Sequence, residues 1–594
     1  MSQDAHNPPS ATRPAVTWAI CIGLFLLAWL LRTLFSEAGP DAHWPHSVYY
    51  KGDVFVWLRA VIAERTGQVF EVGLPMRPPA MIWLLDVLWD GTPDGMAFVK
   101  TIWRVMGAAT VALFYLPLQR NFGQCAGLVA SAFLALGFGG LLIAGSVNNE
   151  TPYLLAVALT MAVQPQAVWQ PSQEHGKERL RWLAWGVLNG IACLVRVEHL
   201  LFFVVVLAFA LLAGRRKNAT KQNWQGLTLA LASFVLCLVP WHLEAWAMIE
   251  NFNQGKGPQS SQSEAAIAFV ESQTPELPWT ADALQAAAAL PGFIRRSSKG
   301  FIAATVHHRG GTQVDMDGVA TIKQAFGSLP EPVGSHPFVS AYGPLNFYLA
   351  NNEAASPGFS RAGLERPPPL EGGKDSYPAM LVQGLPPSNL AFEYPPHLEV
   401  FNHGYAMGAR WIASHPLDWL GLAVRKLGIF WRGASTGFGG DNLPLGPNGT
   451  RRAVDIVSAE HTGASVWRLL IAVAVLLGLW DGLQRTSTRY ATLCLALYGI
   501  SKLAIAVLFF GYARQGVLIT PVVYLALALA LCRWVAPWLG RHAFRAAVGL
   551  LLILVAMEGA RRAQGIQVTL DGSRVLQIDP VPVDEHRDRE LRFK

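Results

Sequence analysis

Residues 490–532 read YATLCLALYGISKLAIAVLFFGYARQGVLITPVVYLALALALC. Two apolar runs, 490–510 and 516–532, flank a short step that contains Gly511-Tyr512-Ala513-Arg514. A helix needs about 20 apolar residues to cross the hydrocarbon core, fewer if it sits obliquely among others. Each run therefore predicts a membrane span. The step between them predicts a turn at one membrane face, with Arg514 in it.

The same test finds further runs at 17–35, 97–117, 125–145, 152–168, 182–195, 199–213, 226–243, 466–482 and 543–558. The fold class expected is an all-α polytopic membrane protein of about 11 transmembrane helices. Composition agrees: 52% of residues are hydrophobic and 15% charged, against about 25% charged in soluble domains. The net charge of +7 does not imply nucleic acid, because most of the clustered Lys and Arg lie in short loops between apolar runs, where they orient helices. The six cysteines fall in or beside apolar runs, and none lies between 238 and 493. This argues against a disulfide framework and a Cys-ligated metal. The first run has no small-residue cleavage site behind it and predicts a retained helix.

Loops 118–124, 169–181, 214–225, 483–489 and 533–542 carry Arg120, Lys177, Arg179, Arg181, Arg215, Arg216, Lys217, Lys221, Arg485, Arg489, Arg533 and Arg541, opposed only by Glu174 and Glu178. Positive charge marks the cytoplasmic side, so the N-terminus is expected inside. Two long segments, 36–96 and 244–465, then lie outside. The expected organisation is an N-terminal transmembrane module 1–243, an extracytoplasmic region 244–465, C-terminal helices 466–559 and a tail 560–594. Stretches 54–65, 79–89 and 416–431 suit interfacial helices. Residues 566–578, around Asp571-Gly572, suit a β-hairpin.

An ionisable residue at membrane depth is costly and invites a functional explanation. Asp53 and Glu150 are the candidate catalytic acids. Each has a plainer explanation at a helix start, Asp53 as an N-cap and Glu150 through the helix dipole. Arg77, Arg196 and Arg514 fall on the same expected side. Each alone is explained by interfacial anchoring, but together they present guanidinium forks suited to phosphate. Glu198 shares the turn with Arg196. His242 fits a helix end better than a ligand. No metal-ligand spacing, phosphate-cradling glycine loop or serine nucleophile elbow is present. No cofactor is implied with certainty, and a divalent metal stays open. Asn448-Gly449-Thr450 fits a glycosylation acceptor only in a eukaryotic host.

The chain resembles the GT-C superfamily of membrane glycosyltransferases, near the bacterial family 39 mannosyltransferase-like and aminoarabinose-transferase branches. The resemblance rests on several segments in order. Gly52-Asp53 leads into an amphipathic helix, and Arg77-Pro78-Pro79 into a short apolar one. Glu150 starts a helix, and Gly190-Ile191-Ala192-Cys193-Leu194-Val195-Arg196 ends another. Tyr342-Gly343-Pro344-Leu345-Asn346-Phe347-Tyr348 follows, with Asn351-Asn352, then His415-Pro416 with Lys426, and Tyr512-Ala513-Arg514. There are departures. The first-loop acid stands alone where mannosyltransferases often carry Asp-Glu. Trp241-His242-Leu243-Glu244 replaces Arg and Asn, and Arg77 stands where aminoarabinose transferases carry Lys.

The resemblance implies inverting transfer of a sugar from a polyprenyl-phosphate donor to a protein, lipid or glycan acceptor. The expected location is the extracytoplasmic face of a bacterial inner membrane. It implies Asp53 as general base with Glu150 nearby. Arg77, Arg196, His242, Lys426 and Arg514 would bind substrate. The rival class is a transporter or lipid flippase. Inverted repeats and broken mid-bilayer spans would favour it, and no repeat is evident. A third class, an assembly protein with a partner-binding outer loop, predicts no deep cavity under that loop.

Overall fold

The computed structural model describes residues 14–37, 53–67, 73–169, 178–215, 221–256, 276–320, 331–334, 339–364, 395–435 and 466–534, with single positions 392 and 549. These residues form helices and turns with no β-strand among them; one isolated parallel bridge joins Trp279 and Val314. The expected all-α polytopic membrane fold is what the chain adopts.

The helices are α1 (Pro14–Glu37), α2 (Asp53–Thr66), α3 (Ala80–Leu88), α4 (Pro93–Phe122), α5 (Gln124–Leu136), α6 (Phe138–Ala144), α7 (Glu150–Val163) and α8 (Gln166–Trp169). Next come α9 (Arg179–Val195), α10 (His199–Arg215), α11 (Lys221–Gln254), α12 (Ala281–Ala288), α13 (Gly292–His308) and α14 (Gly343–Ala350). They end with α15 (Pro395–Ser414), α16 (Pro416–Ser435), α17 (Val466–Gln484), α18 (Arg489–Leu508), α19 (Ala513–Gly516) and α20 (Thr520–Trp534), with a 3-10 turn at Val517–Ile519 before α20. The expected interfacial stretches 54–65, 79–89 and 416–431 are the helices α2, α3 and α16.

Among the described residues, five helical segments are long and apolar enough to cross a membrane: Pro14–Leu34, Pro93–Phe122, Trp224–Gln254, Arg489–Leu508 and Ala513–Arg533. Other expected spans are shorter or broken. The run 125–145 divides at Gly137 into α5 and α6, and 152–168 divides at Gln164-Pro165 into α7 and α8. Proline disfavours helical geometry in the residue before it, which accounts for the second break. The expected span 543–558, the 566–578 hairpin, Asn448 and the tail lie outside the described residues.

Two compact units result, one of residues 1–57, 80–238 and 423–594, the other of 58–79 and 239–422. In the first, α1 packs on α4, α4 on α5 and α7, α7 on α9, and α20 on α5 and α17. On α1, Trp18, Ile22, Leu26, Leu30 and Leu34 are exposed, while Leu24, Ala28 and Arg32 are buried. Positions four apart share a helix face, so this exposed apolar stripe is the face for lipid. Helix α4 starts at the Thr92 cap, whose hydroxyl accepts from the Gly95 amide at 3.0 Å, with Pro93 in the first turn. It stops at Gly123, at φ 90°, where an L side chain is disfavoured. In the second unit, α14 packs on α15, while α12 and α13 enclose a small core with Ala283, Ile302, Val306 and Val314.

Candidate functional site

Helix α18 ends at Leu508, and the chain turns through 509–512 before α19 begins. Helix α16 fixes this turn by backbone contact. A Cβ on Gly433 would stand 1.6 Å from the Ala513 carbonyl oxygen, and one on Gly511 2.3 Å from that of Lys426. Only glycine permits approaches this close. The sequence thereby seats Arg514 at a defined height beside α16.

Arg514 joins two carboxylates. Its Nη2 lies 2.5 Å from Asp53 Oδ2, and its Nε lies 3.3 Å from Glu150 Oε1. Arg196 approaches the same Glu150 oxygen, with Nη1 at 2.8 Å. Its Nη1 also donates to Asn149 Oδ1 at 2.9 Å, and its Nε donates to Glu198. Asp53, Arg514, Glu150, Arg196 and Glu198 thus form a continuous series of alternating charge. Its burial is graded. Glu150 is fully buried and Arg196 is 7% exposed, whereas Arg514 and Asp53 are 23% and 33% exposed. Burial pushes the Glu198 carboxyl up, but Arg196 and Lys502 more than offset this and hold it at about 2.

Helix starts place both acids. Asp53 is the first residue of α2 and Glu150 the first of α7. The cap at α7 is supplied elsewhere: Asn148 Oδ1 accepts from the Thr151 amide at 3.0 Å. The Glu150 side chain is thereby left to the two arginines, with its Oε2 buried and without a hydrogen bond. One turn further on, the Tyr153 hydroxyl meets His199 Nδ1 at 2.8 Å, and His199 Nε2 meets Asn189 Oδ1 at 2.9 Å. Lys502, buried in α18, holds its Nζ 4.3 Å from the centre of the Tyr153 ring. A cation over an aromatic face is attracted by the ring quadrupole.

Of the residues singled out by sequence, Asp53, Glu150, Arg196 and Arg514 come together in this cluster. Lys426 has another partner. It is fully buried, and its Nζ donates to the Val507 carbonyl at 3.1 Å, among the last carbonyls of α18. Burial lowers its ammonium to about 7. Arg77 and His242 belong to the second unit. Arg77 lies over the Tyr342 ring at 5.4 Å, where the Ala341 amide donates to the Pro75 carbonyl and Ser340 Oγ to that of Met76. Two segments that carried the family resemblance are therefore neighbours. His242 is not at a helix end. It sits within α11, which continues to Gln254, and the Trp241 indole beside it donates to the Val339 carbonyl at 2.7 Å.

Lys502, Tyr153, His199 and Asn189 were not among the candidates. A lone lysine in an apolar run was the available signal for the first. The other three carried none, because only the packing of α7, α9 and α10 joins them. Among the described residues, no three of His, Cys, Asp and Glu gather as a metal site would need.

Residues 76–241 match the model of the family described as dolichyl-phosphate-mannose-protein mannosyltransferase. The family resemblance read from the sequence is borne out over that segment, which contains Arg77, Glu150 and Arg196. No curated protein sequence matches the chain. Two solved structures match the chain at low scores. One is ArnT from Cupriavidus metallidurans bound to undecaprenyl phosphate, at 14% identity and TM-score 0.30, covering 88% of this chain and 80% of that one. The other is the Archaeoglobus fulgidus oligosaccharyltransferase tethered with an acceptor peptide, at 12% identity and TM-score 0.34, covering 91% of this chain and 53% of that one. This chain thus spans about half the length of the latter. At these scores neither likeness carries an argument for this chain.

Proposed function

We propose that this chain is an inverting glycosyltransferase that moves a sugar from a polyprenyl-phosphate donor to an acceptor on the extracytoplasmic face of the membrane. The observation that carries this reading is the cluster in which Arg514 joins Asp53 to Glu150. The family match over 76–241 supports it. The charge asymmetry of the loops supports the orientation.

In this mechanism the acceptor hydroxyl attacks the anomeric carbon from the face opposite the phosphate. Asp53 takes the hydroxyl proton as the new glycosidic bond forms. The bond from the anomeric carbon to the phosphate oxygen breaks, and polyprenyl phosphate leaves with the electron pair. Asp53 is suited to this part because it is the more exposed acid of the cluster. Arg514 supplies positive charge to the departing phosphate, and charge stabilisation of this kind is strong away from bulk water. Glu150 and Arg196 hold Arg514 in place. Substrate binding by Arg77, His242 and Lys426 follows from the resemblance, and each is tested by its own substitution.

The test is mass spectrometry of surface glycans and glycoproteins from cells with and without the gene. Loss of one sugar from one class of acceptor is expected on deletion, with recovery by the wild-type chain but not by Asp53→Asn. An unchanged glycan profile contradicts the proposal.

A further inference from the structure

The two carboxylates that share Arg514 differ in how firmly they are held. Glu150 and Arg196 form a pair almost without solvent contact. Removing either partner of such a pair strands a buried charge, which is strongly unfavourable. Asp53 and Arg514 are each about a quarter to a third exposed. Pairs this close to water add little to stability and exchange partners readily. The atoms of Arg514 divide in the same way: Nη2 holds Asp53, whereas Nε faces Glu150. Arg514 can therefore give up Asp53 at one edge and keep Glu150 at the other.

We infer that the Asp53–Arg514 ion pair is a resting lock, opened when the phosphate of a membrane lipid takes Arg514 from Asp53. The inference rests on the function proposed above and adds a regulatory step to the same site. A guanidinium edge matches phosphate oxygens as well as it matches a carboxylate. While the pair is closed, the Asp53 oxygen that faces Arg514 is engaged and unavailable to a hydroxyl proton. When lipid phosphate replaces it, the Asp53 oxygen that faced Arg514 is released from the guanidinium at the moment a donor is present. The exchange swaps one anion for another on Arg514 and breaks no covalent bond. Glu150 and Arg196 stay paired throughout and set the position to which Arg514 returns.

A lock of this kind makes Asp53 a competitor of the phosphate. The apparent affinity for phosphate is then reduced by the fraction of molecules in which Arg514 is open. The test measures binding of a long-chain polyprenyl phosphate to the full chain in nanodiscs, with the uncharged polyprenol and inorganic phosphate as controls. Asp53→Asn is expected to bind polyprenyl phosphate about three- to fivefold more tightly than wild type, with polyprenol binding unchanged. Arg514→Gln is expected to lose the preference for phosphate over polyprenol, and Asp53→Asn added to it is expected to restore nothing. Asp53→Ser repeats the comparison where the amide disturbs the start of α2.

If both Asp53 variants fold and bind polyprenyl phosphate no more tightly than wild type, the lock is overturned while the proposed function stands. If wild type fails to distinguish polyprenyl phosphate from polyprenol, the proposed function fails and the lock with it. Inorganic phosphate is expected to compete poorly. Competition as strong as that of the lipid overturns the assignment of the ligand to a membrane lipid.

Discussion

Glu150 and Asp53 invite comparison because their local settings are alike. Each is an acid at the first position of a helix, and each meets an arginine. They differ in burial: Glu150 is closed off and shared by two guanidiniums, while Asp53 stands a third exposed with Arg514 as its ion-pair partner. One carboxylate can be a fixed reference for the site and the other its moving, reacting member. An ionisable group at the membrane draws attention to both, but its surroundings decide which does which.

The largest effect that separates them is on stability. Arg196→Met leaves Glu150 buried without its closest partner and is expected to destabilise the fold by about 3–5 kcal/mol, measured as a lower melting temperature in detergent. A loss below 1 kcal/mol would remove the distinction between the fixed and the exchangeable pair.

Burial also predicts a pH effect at Lys426, whose ammonium falls from an ordinary 10.5 to about 7. The unfolded chain takes up this proton below the ordinary value, and the folded chain resists it down to about 7. Stability from this residue is therefore fully present above 10.5 and is lost as pH falls through that window. The slope reaches about 1.4 kcal/mol per pH unit for one fully linked proton. Lys426→Met is expected to flatten the dependence of melting temperature on pH between 7 and 10.5. An unchanged profile would contradict the burial of that ammonium.

The smallest effect is expected at the exposed pair. Arg514→Gln should shift stability by about 1 kcal/mol or less, since Arg196 still faces Glu150. Binding of polyprenyl phosphate is where its loss should register. A melting shift as large as that of Arg196→Met would show that the two pairs are not different in kind.

Much of this was legible before the fold was known. Uninterrupted apolar runs gave α1, α4 and α18, and basic loops gave an orientation. Asp53, Glu150, Arg196 and Arg514 were each ordinary alone; their shared position at helix ends along one expected face suggested a site, and they do meet. Helix boundaries were less legible, because hydropathy marks where a chain leaves lipid, not where a helix stops. Hence His242, expected at a helix end, lies inside α11, which runs on through polar residues to Gln254. Lys502 was visible as a charge in an apolar run, but its role depends on Tyr153 from another helix. The chain from Tyr153 through His199 to Asn189 had no local signature at all. Its members are 46 and 10 residues apart and are united only by packing.

The most direct test of the account supplies a polyprenyl-phosphate sugar, with membranes from cells lacking the gene as the source of acceptor, to the purified chain in nanodiscs. Release of polyprenyl phosphate is followed over time for wild type and Asp53→Asn. General-base catalysis is worth about 10²–10⁴-fold, so the account predicts steady release by wild type and a loss of that order in the variant, with its melting temperature within a few degrees of wild type. Release by Asp53→Asn at the wild-type rate would contradict it.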